Sequence, residues 1–286
     1  IEATAKDVLR RLENDGQPIT NELLISELDK IYKNYKEVEA IKTDDFLSFI
    51  DDYIQNTDKK KPTIKQYKIV RNNIFEYAEL MRKRPTFNDI DLDYYLGFVE
   101  FLTAKGYSPN TIGSRVKGLK LFMNEAYERD LHTNLDFKEK LFSKPKEETT
   151  SVYLNNDELL KIYDCDFSKK RKLDRVRDIF LIGCYTGLRF SDLSQLKYDN
   201  IGGDGTITVK TVKTGKTVVI PIHTVVRTIL AKYNNELPKM LSNQKFNDYI
   251  KEVTKAAGID ESIFLQTTKG GLSYTETVPK YSLVTS

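Results

Sequence analysis

The residues best suited to chemistry lie in Thr186–Gly187–Leu188–Arg189–Phe190–Ser191–Asp192–Leu193. The nearly continuous apolar run Ile179–Tyr185 at the end of a helical stretch, Leu173 to Tyr185, reads as buried helix, and Gly187 is the stop such a helix uses. Arg189 then falls between that helix and a short one, Ser191 to Leu196. A guanidinium fork beside free backbone N–H groups suits a phosphodiester, because both present convergent donors and positive charge. Asp192 stands near enough to hold the guanidinium while leaving donors free. Out of context, the same pattern describes a surface arginine with a local ion pair.

A second candidate follows. Thr206–Val212 and Thr217–Ile222 alternate apolar and polar residues around Lys213–Thr214–Gly215–Lys216, the signature of a β-hairpin. Lys213 and Lys216 bracket the turn, where an ammonium group can reach a groove or a reacting phosphate. A basic hairpin tip is otherwise an ordinary solvated turn.

These residues need a scaffold, and periodicity supplies one that is mainly α with a small β-hairpin sheet. From about Thr43 to Phe142 the pattern is helical throughout, with Phe46, Phe49, Ile50 and Tyr53, then Ile64, Tyr67, Val70, Ile74 and Ala78, on two successive faces. Leu92 to Leu102 makes a third helix, and Ile112, Val116, Leu119, Met123 and Ala126 mark a fourth. Lys61–Pro62–Thr63–Ile64–Lys65 and Ser108–Pro109–Asn110–Thr111–Ile112 open two of them, each with a capping hydroxyl and a proline in the first turn. Helix starts offer N–H groups to phosphate. Thr63, Lys65, Lys68 and Arg71 on one helix, and Thr111, Ser114, Arg115, Lys117 and Lys120 on the other, form the expected DNA-contacting set, with Lys216 from the hairpin. Ordinary capping accounts for the proline and threonine without DNA.

The apolar-free stretch 143–151 reads as a linker. Beyond it come helices at Asp157 to Tyr163, Val225–Tyr233 and Asn243–Ala257, and Lys269–Gly270–Gly271 as the turn of a second hairpin. The expected organisation is a helical tail over 1–40, a helical domain over 41–142, the linker 143–151, and a second domain over 152–286.

Composition narrows the classes. Two cysteines and two histidines among 286 residues exclude a disulfide framework and a His/Cys metal cluster, and fit a reducing cytoplasm. No window approaches the ~20 apolar residues of a membrane span. The net charge of +3 is modest, but the basic residues between Lys59 and Arg84 cluster as a phosphate footprint does.

Taken together, the Arg189 motif and the Lys213 hairpin running into Val219–Ile220–Pro221–Ile222 closely resemble the catalytic domain of the tyrosine recombinases, the phage-integrase family. The helical domain with Ser108–Pro109–Asn110–Thr111–Ile112 looks like that family's SAM-like core-binding domain, and the wording is closest to integrases of conjugative transposons and related mobile elements. The resemblance implies an all-α core-binding domain plus an α+β catalytic domain, a helical tail from an arm-binding-like region, and an activity that cuts and rejoins DNA through a 3′-phosphotyrosine. It implies no cofactor and no metal. Arg189 matches the arginine that binds the scissile phosphate, Asp192 the acidic residue buttressing it, and Lys213 the general acid for the departing 5′ oxygen, with Lys216 able to swap roles. The implied partners are double-stranded DNA and further copies of the chain, as a tetramer on paired duplexes, in a bacterial cytosol at the nucleoid.

The sequence departs from the family after the hairpin. The His-x-x-Arg pair, the further His or Trp and the nucleophilic tyrosine have no match: no histidine follows His223, and Tyr274 and Tyr281 flank the second hairpin with no His-x-x-Arg before them. His132 reads as structural and His223 as a capping or surface residue. A chain opening on Ile1 and ending in mid-pattern at Ser286 is expected to be a fragment, monomeric, that holds DNA without cutting it. The alternatives are a non-catalytic relative that occupies recombination sites, and a helical interaction module with no DNA role.

Overall fold

The computed structural model describes residues 6, 8–12, 20, 21, 23–28, 45–234 and 237–286. Of the expected 1–40 tail, residues 6, 8–12, 21 and 23–28 are helical and Thr20 is not; the rest of that expectation lies outside the described residues. The chain forms two units. One runs through residue 148 and includes Thr267–Tyr274; the other comprises Thr149–Gln266 and Thr275–Ser286.

The first unit is built on four helices, α1 (Phe46–Asn56), α2 (Lys61–Met81), α3 (Leu92–Ala104) and α4 (Pro109–Tyr127). Each apolar stripe predicted from the sequence faces a common core of Phe46, Ile50, Ile74, Phe98, Leu119 and Phe122, all fully buried. Aromatic edges lock the stripes together: Phe122 meets the rings of Tyr67 and Tyr53 edge-on, at 5.4 and 5.8 Å. Such pairs contribute about 0.5–1.5 kcal/mol beyond the area they bury.

Helix starts follow two recipes. Asp45, Asp91 and Ser108 cap α1, α3 and α4, accepting the N–H of Leu47, Tyr94 and Thr111. At α2 the cap position is Lys60, and no side chain serves it. The expected capping hydroxyl, Thr63, sits inside the helix, and its own N–H goes to the Lys60 carbonyl at 2.8 Å. Pro62 fixes this start instead, since the N–H it lacks would have had no helical partner.

The second unit packs α5 (Asn156–Asp164), α8 (Thr224–Lys232) and α9 (Asn243–Ala256) against α6 (Arg171–Thr186). Strands β1 (Thr206–Lys210) and β2 (Thr217–Pro221) pair antiparallel in register Thr206↔Pro221 through Lys210↔Thr217. Strands β3 (Ser262–Lys269) and β4 (Leu272–Pro279) form the second hairpin. Gly270 and Gly271 hold φ of 58° and 76°, the paired positive values of a tight two-residue hairpin turn. The mainly α architecture with small two-stranded sheets agrees with the fold class read from the sequence.

Two buried charge clusters fasten this unit. Asp178 on α6, only 1% exposed, accepts from Arg177, from the Lys232 ammonium at 2.6 Å and from the Tyr233 hydroxyl at 2.9 Å, tying α8 to α6. Lys280, in the turn after β4, pairs with Glu158 at the start of α5 at 2.7 Å and with Glu261 at 3.2 Å. Burial pushes the Glu158 carboxyl up, but the Lys280 ammonium and the Asn155 N–H outweigh it and hold it below its ordinary value. The Glu158 carboxylate raises Lys280 in turn, against burial. The Glu158 contribution is therefore present above the ordinary carboxylate range and fades as pH falls through its lowered value. The Lys280 contribution holds below the ordinary lysine range and is lost as pH rises through its raised value. Lys280→Met is expected to lower the urea midpoint at neutral pH, with the gap from wild type closing in strong acid. A gap independent of pH would show that packing, and not the ion pair, is what the substitution removes.

Candidate nucleic-acid interface

Helix α6 ends where its sequence predicts. Gly187 caps it at φ 65°, its N–H bonding the Gly183 carbonyl at 2.9 Å. The chain then turns through Arg189, the cap residue of the one-turn helix α7 (Phe190–Leu193). The Arg189 carbonyl accepts the N–H groups of Asp192 and Leu193 at 2.9 Å each, so its backbone is fixed while its side chain is exposed. No ion pair to Arg189 is found among the described residues.

Asp192 does something other than expected. It is 2% exposed, and its Oδ1 accepts the N–H of Val212 at 2.7 Å. Its second oxygen, also buried, meets no donor of the protein. The residue expected to steady the Arg189 guanidinium thus faces inward and steadies the neighbour of Lys213. One carboxylate joins the arginine turn to the lysine hairpin.

The hairpin tip is itself ordered. Thr211 closes it twice on the Lys216 carbonyl, through its N–H at 2.9 Å and its hydroxyl at 3.0 Å, and shares a 2.7 Å bond with the Thr214 hydroxyl. Gly215 completes the turn at φ 69° with its N–H on the Thr211 carbonyl. Lys213 and Lys216 are both exposed on this frame.

The first unit sorts the expected DNA-contacting residues into free and engaged. Lys65, Lys68, Ser114 and Lys117 are exposed. Arg71 is not free: its Nε and Nη2 both bond the Asp51 carboxylate, at 2.8 and 2.6 Å, and its guanidinium covers the Phe75 ring. Lys120 donates to the Phe142 carbonyl at 2.9 Å and lies over the Phe142 ring; burial and nearby Lys144 lower its pKa. Thr111 belongs to the Ser108 cap, and Arg115 is half-buried with its Nε lacking a partner. Thr63 is half-buried. Asp51 and Phe142 were not foreseen as partners, because they lie 20 and 22 residues from their cations and meet them only through helix packing.

The two histidines are structural. His223 caps α8 with its Nδ1 toward the Val225 N–H and stacks on Tyr185 at 4.2 Å. His132 bonds the Met123 carbonyl and stacks on Phe87, and burial lowers its pKa. Tyr274 lies within β4, and Tyr281 in the turn after it packs on the core. Among the described residues no group of His, Cys, Asp or Glu is arranged to hold a metal, and no helix is long and apolar enough to cross a membrane.

The segment 45–144 matches the phage integrase SAM-like domain. Among solved structures, the chain is similar to a lambda integrase tetramer bound to a Holliday junction, at 20% identity over 85% of this chain and 78% of that one, with a TM-score of 0.59. It is similar to the Tn1549 transposon integrase in complex with transposon right end DNA, at 17% identity over 79% and 83% with a TM-score of 0.57. A third likeness is to the XerH site-specific recombinase bound to palindromic difH, at 18% identity over 70% and 64%, with a TM-score of 0.52. At these identities the likeness is one of fold. No curated protein matches the chain. The resemblance of the helical domain to the phage-integrase family's SAM-like domain, read from the sequence, is borne out.

Proposed function

We propose that this protein serves site-specific DNA recombination, binding duplex DNA with both units and bringing Arg189 and Lys213 to one phosphodiester. The observation that carries the reading is the Asp192–Val212 bond, which fixes the arginine turn and the lysine hairpin to each other. Arg189 would hold the scissile phosphate with its guanidinium fork, and Lys213 would give a proton to the departing 5′ oxygen as a tyrosine hydroxyl forms the 3′-phosphotyrosine. Asp192 acts through the loop backbone and is a positioning residue. The attacking tyrosine is assigned to no residue of this chain.

In this reading residues 41–142 are a core-binding domain and 152–286 a catalytic one. Self-association belongs to the DNA-bound state, with a monomer expected by light scattering when DNA is absent. Lys65, Lys68 and Lys117 supply phosphate contacts, which position a protein on DNA without specifying sequence. Replacing all three by alanine is expected to weaken duplex binding and to flatten its log–log salt dependence by about 0.9 for each phosphate left unneutralised. Arg71→Ala, whose charge Asp51 already neutralises, should leave the slope nearly unchanged. A triple variant with wild-type affinity and slope would remove the first unit from the DNA-binding surface.

A further inference from the structure

The polar stretch read as a linker is bound for half its length along α4, inside the first unit. Phe142 is fully buried against Tyr95, ring centroids 4.6 Å apart, and its carbonyl takes the Lys120 ammonium. Further along, the Pro145 carbonyl lies so close to α4 that a Cβ at Gly113 would come within 2.1 Å of it. At the far end Asn110 clasps the backbone of Glu147 from both sides: its Nδ2 donates to the Glu147 carbonyl at 2.9 Å, and its Oδ1 accepts the Glu147 N–H at 3.1 Å. This is how a neighbouring β-strand would pair, performed here by one carboxamide. The Glu147 carboxylate accepts from the N–H and hydroxyl of Thr268, which belongs to the same unit. Asn110, Gly113 and Lys120 follow one another at intervals of three and seven residues, which places them on one stripe of α4.

We propose that residues 142–147 form a releasable strap on α4, anchored by the buried Phe142 ring at one end and clasped by Asn110 at the other. Clasped, the strap is part of the first unit. The two ends differ in strength. Phe142 is a buried ring, whereas the Asn110 clasp is exposed, with Lys144 and Lys146 in solvent, so opening starts at Glu147 and runs toward Phe142. The strap needs no ligand, and so it stands or falls independently of DNA binding.

Hydrogen exchange on the whole chain tests it, with trypsin cleavage after Lys146 as a second readout. In the wild type the Glu147 amide should exchange about tenfold or more slowly than that of Thr149. Asn110→Ala should abolish that difference and expose the Lys146 site, with the α4 amides unchanged. Gly113→Ala should do the same by another route: alanine favours the helix, yet its methyl evicts the Pro145 carbonyl. The proposal is overturned if the wild-type Glu147 amide is unprotected, if both variants keep its protection, or if protection is lost only together with that of α4.

Discussion

Asp178→Ala is expected to lower the stability of the second unit by about 3–5 kcal/mol, because it removes a buried carboxylate and leaves Arg177 and Lys232 to share the single charge of Asp174. The carboxylate is nearly sealed from solvent and collects Arg177, Lys232 and Tyr233. Removing it strands the hydroxyl of Tyr233, whose pKa burial and the Asp178 charge already raise, and leaves Lys232 only the more exposed Asp174. In a thermal melt the loss should appear as a fall of roughly 10 °C or more for a unit of this size. Lys232→Met is the milder change: Asp178 keeps Arg177 and Tyr233, and the missing partner was partly in water. A melt in which the two variants fall equally would mean that the pair contributes through packing, and that the buried charge is not the cause.

Asp192→Ala is expected to cost about 1.5–3 kcal/mol, the range for a hydrogen bond to a charged group. Its more telling effect is local. With no acceptor for the Val212 N–H, the loop carrying Lys213 loses its attachment to the Arg189 turn, and the Val212 amide should exchange freely while α6 stays protected. Asp192→Asn retains an acceptor oxygen in the same place and should retain most of the protection. Unchanged exchange at Val212 in the alanine variant would remove Asp192 from the positioning role.

Much of this was legible in the sequence because it is local. Gly187 ends α6, the Lys213–Lys216 segment turns a hairpin, and Lys269–Gly270–Gly271 turns another, since each depends on backbone preferences within a few residues. What escaped is what depends on residues far apart in the chain. Asp51 claims Arg71 from a different helix, Phe142 claims Lys120, and Asp192 turns to Val212 because α7 buries that face. The stretch 143–151 misled for a related reason. Its polar composition describes a linker, but backbone groups, which composition does not register, are what Asn110 holds at Glu147.

If Arg189 and Lys213 address the same phosphate, the salt dependence of duplex-DNA affinity should reveal it. The comparison needs the wild type, Arg189→Ala, Lys213→Ala and the double variant. Each neutralised phosphate contributes about 0.9 to the slope of log affinity on log salt. Two cations sharing one phosphate should count once, so either single variant should change the slope little and the double variant should flatten it by about 0.9. Single variants that each flatten it by about 0.9, and a double that flattens it by about 1.8, would place the two residues on separate phosphates and contradict the shared site.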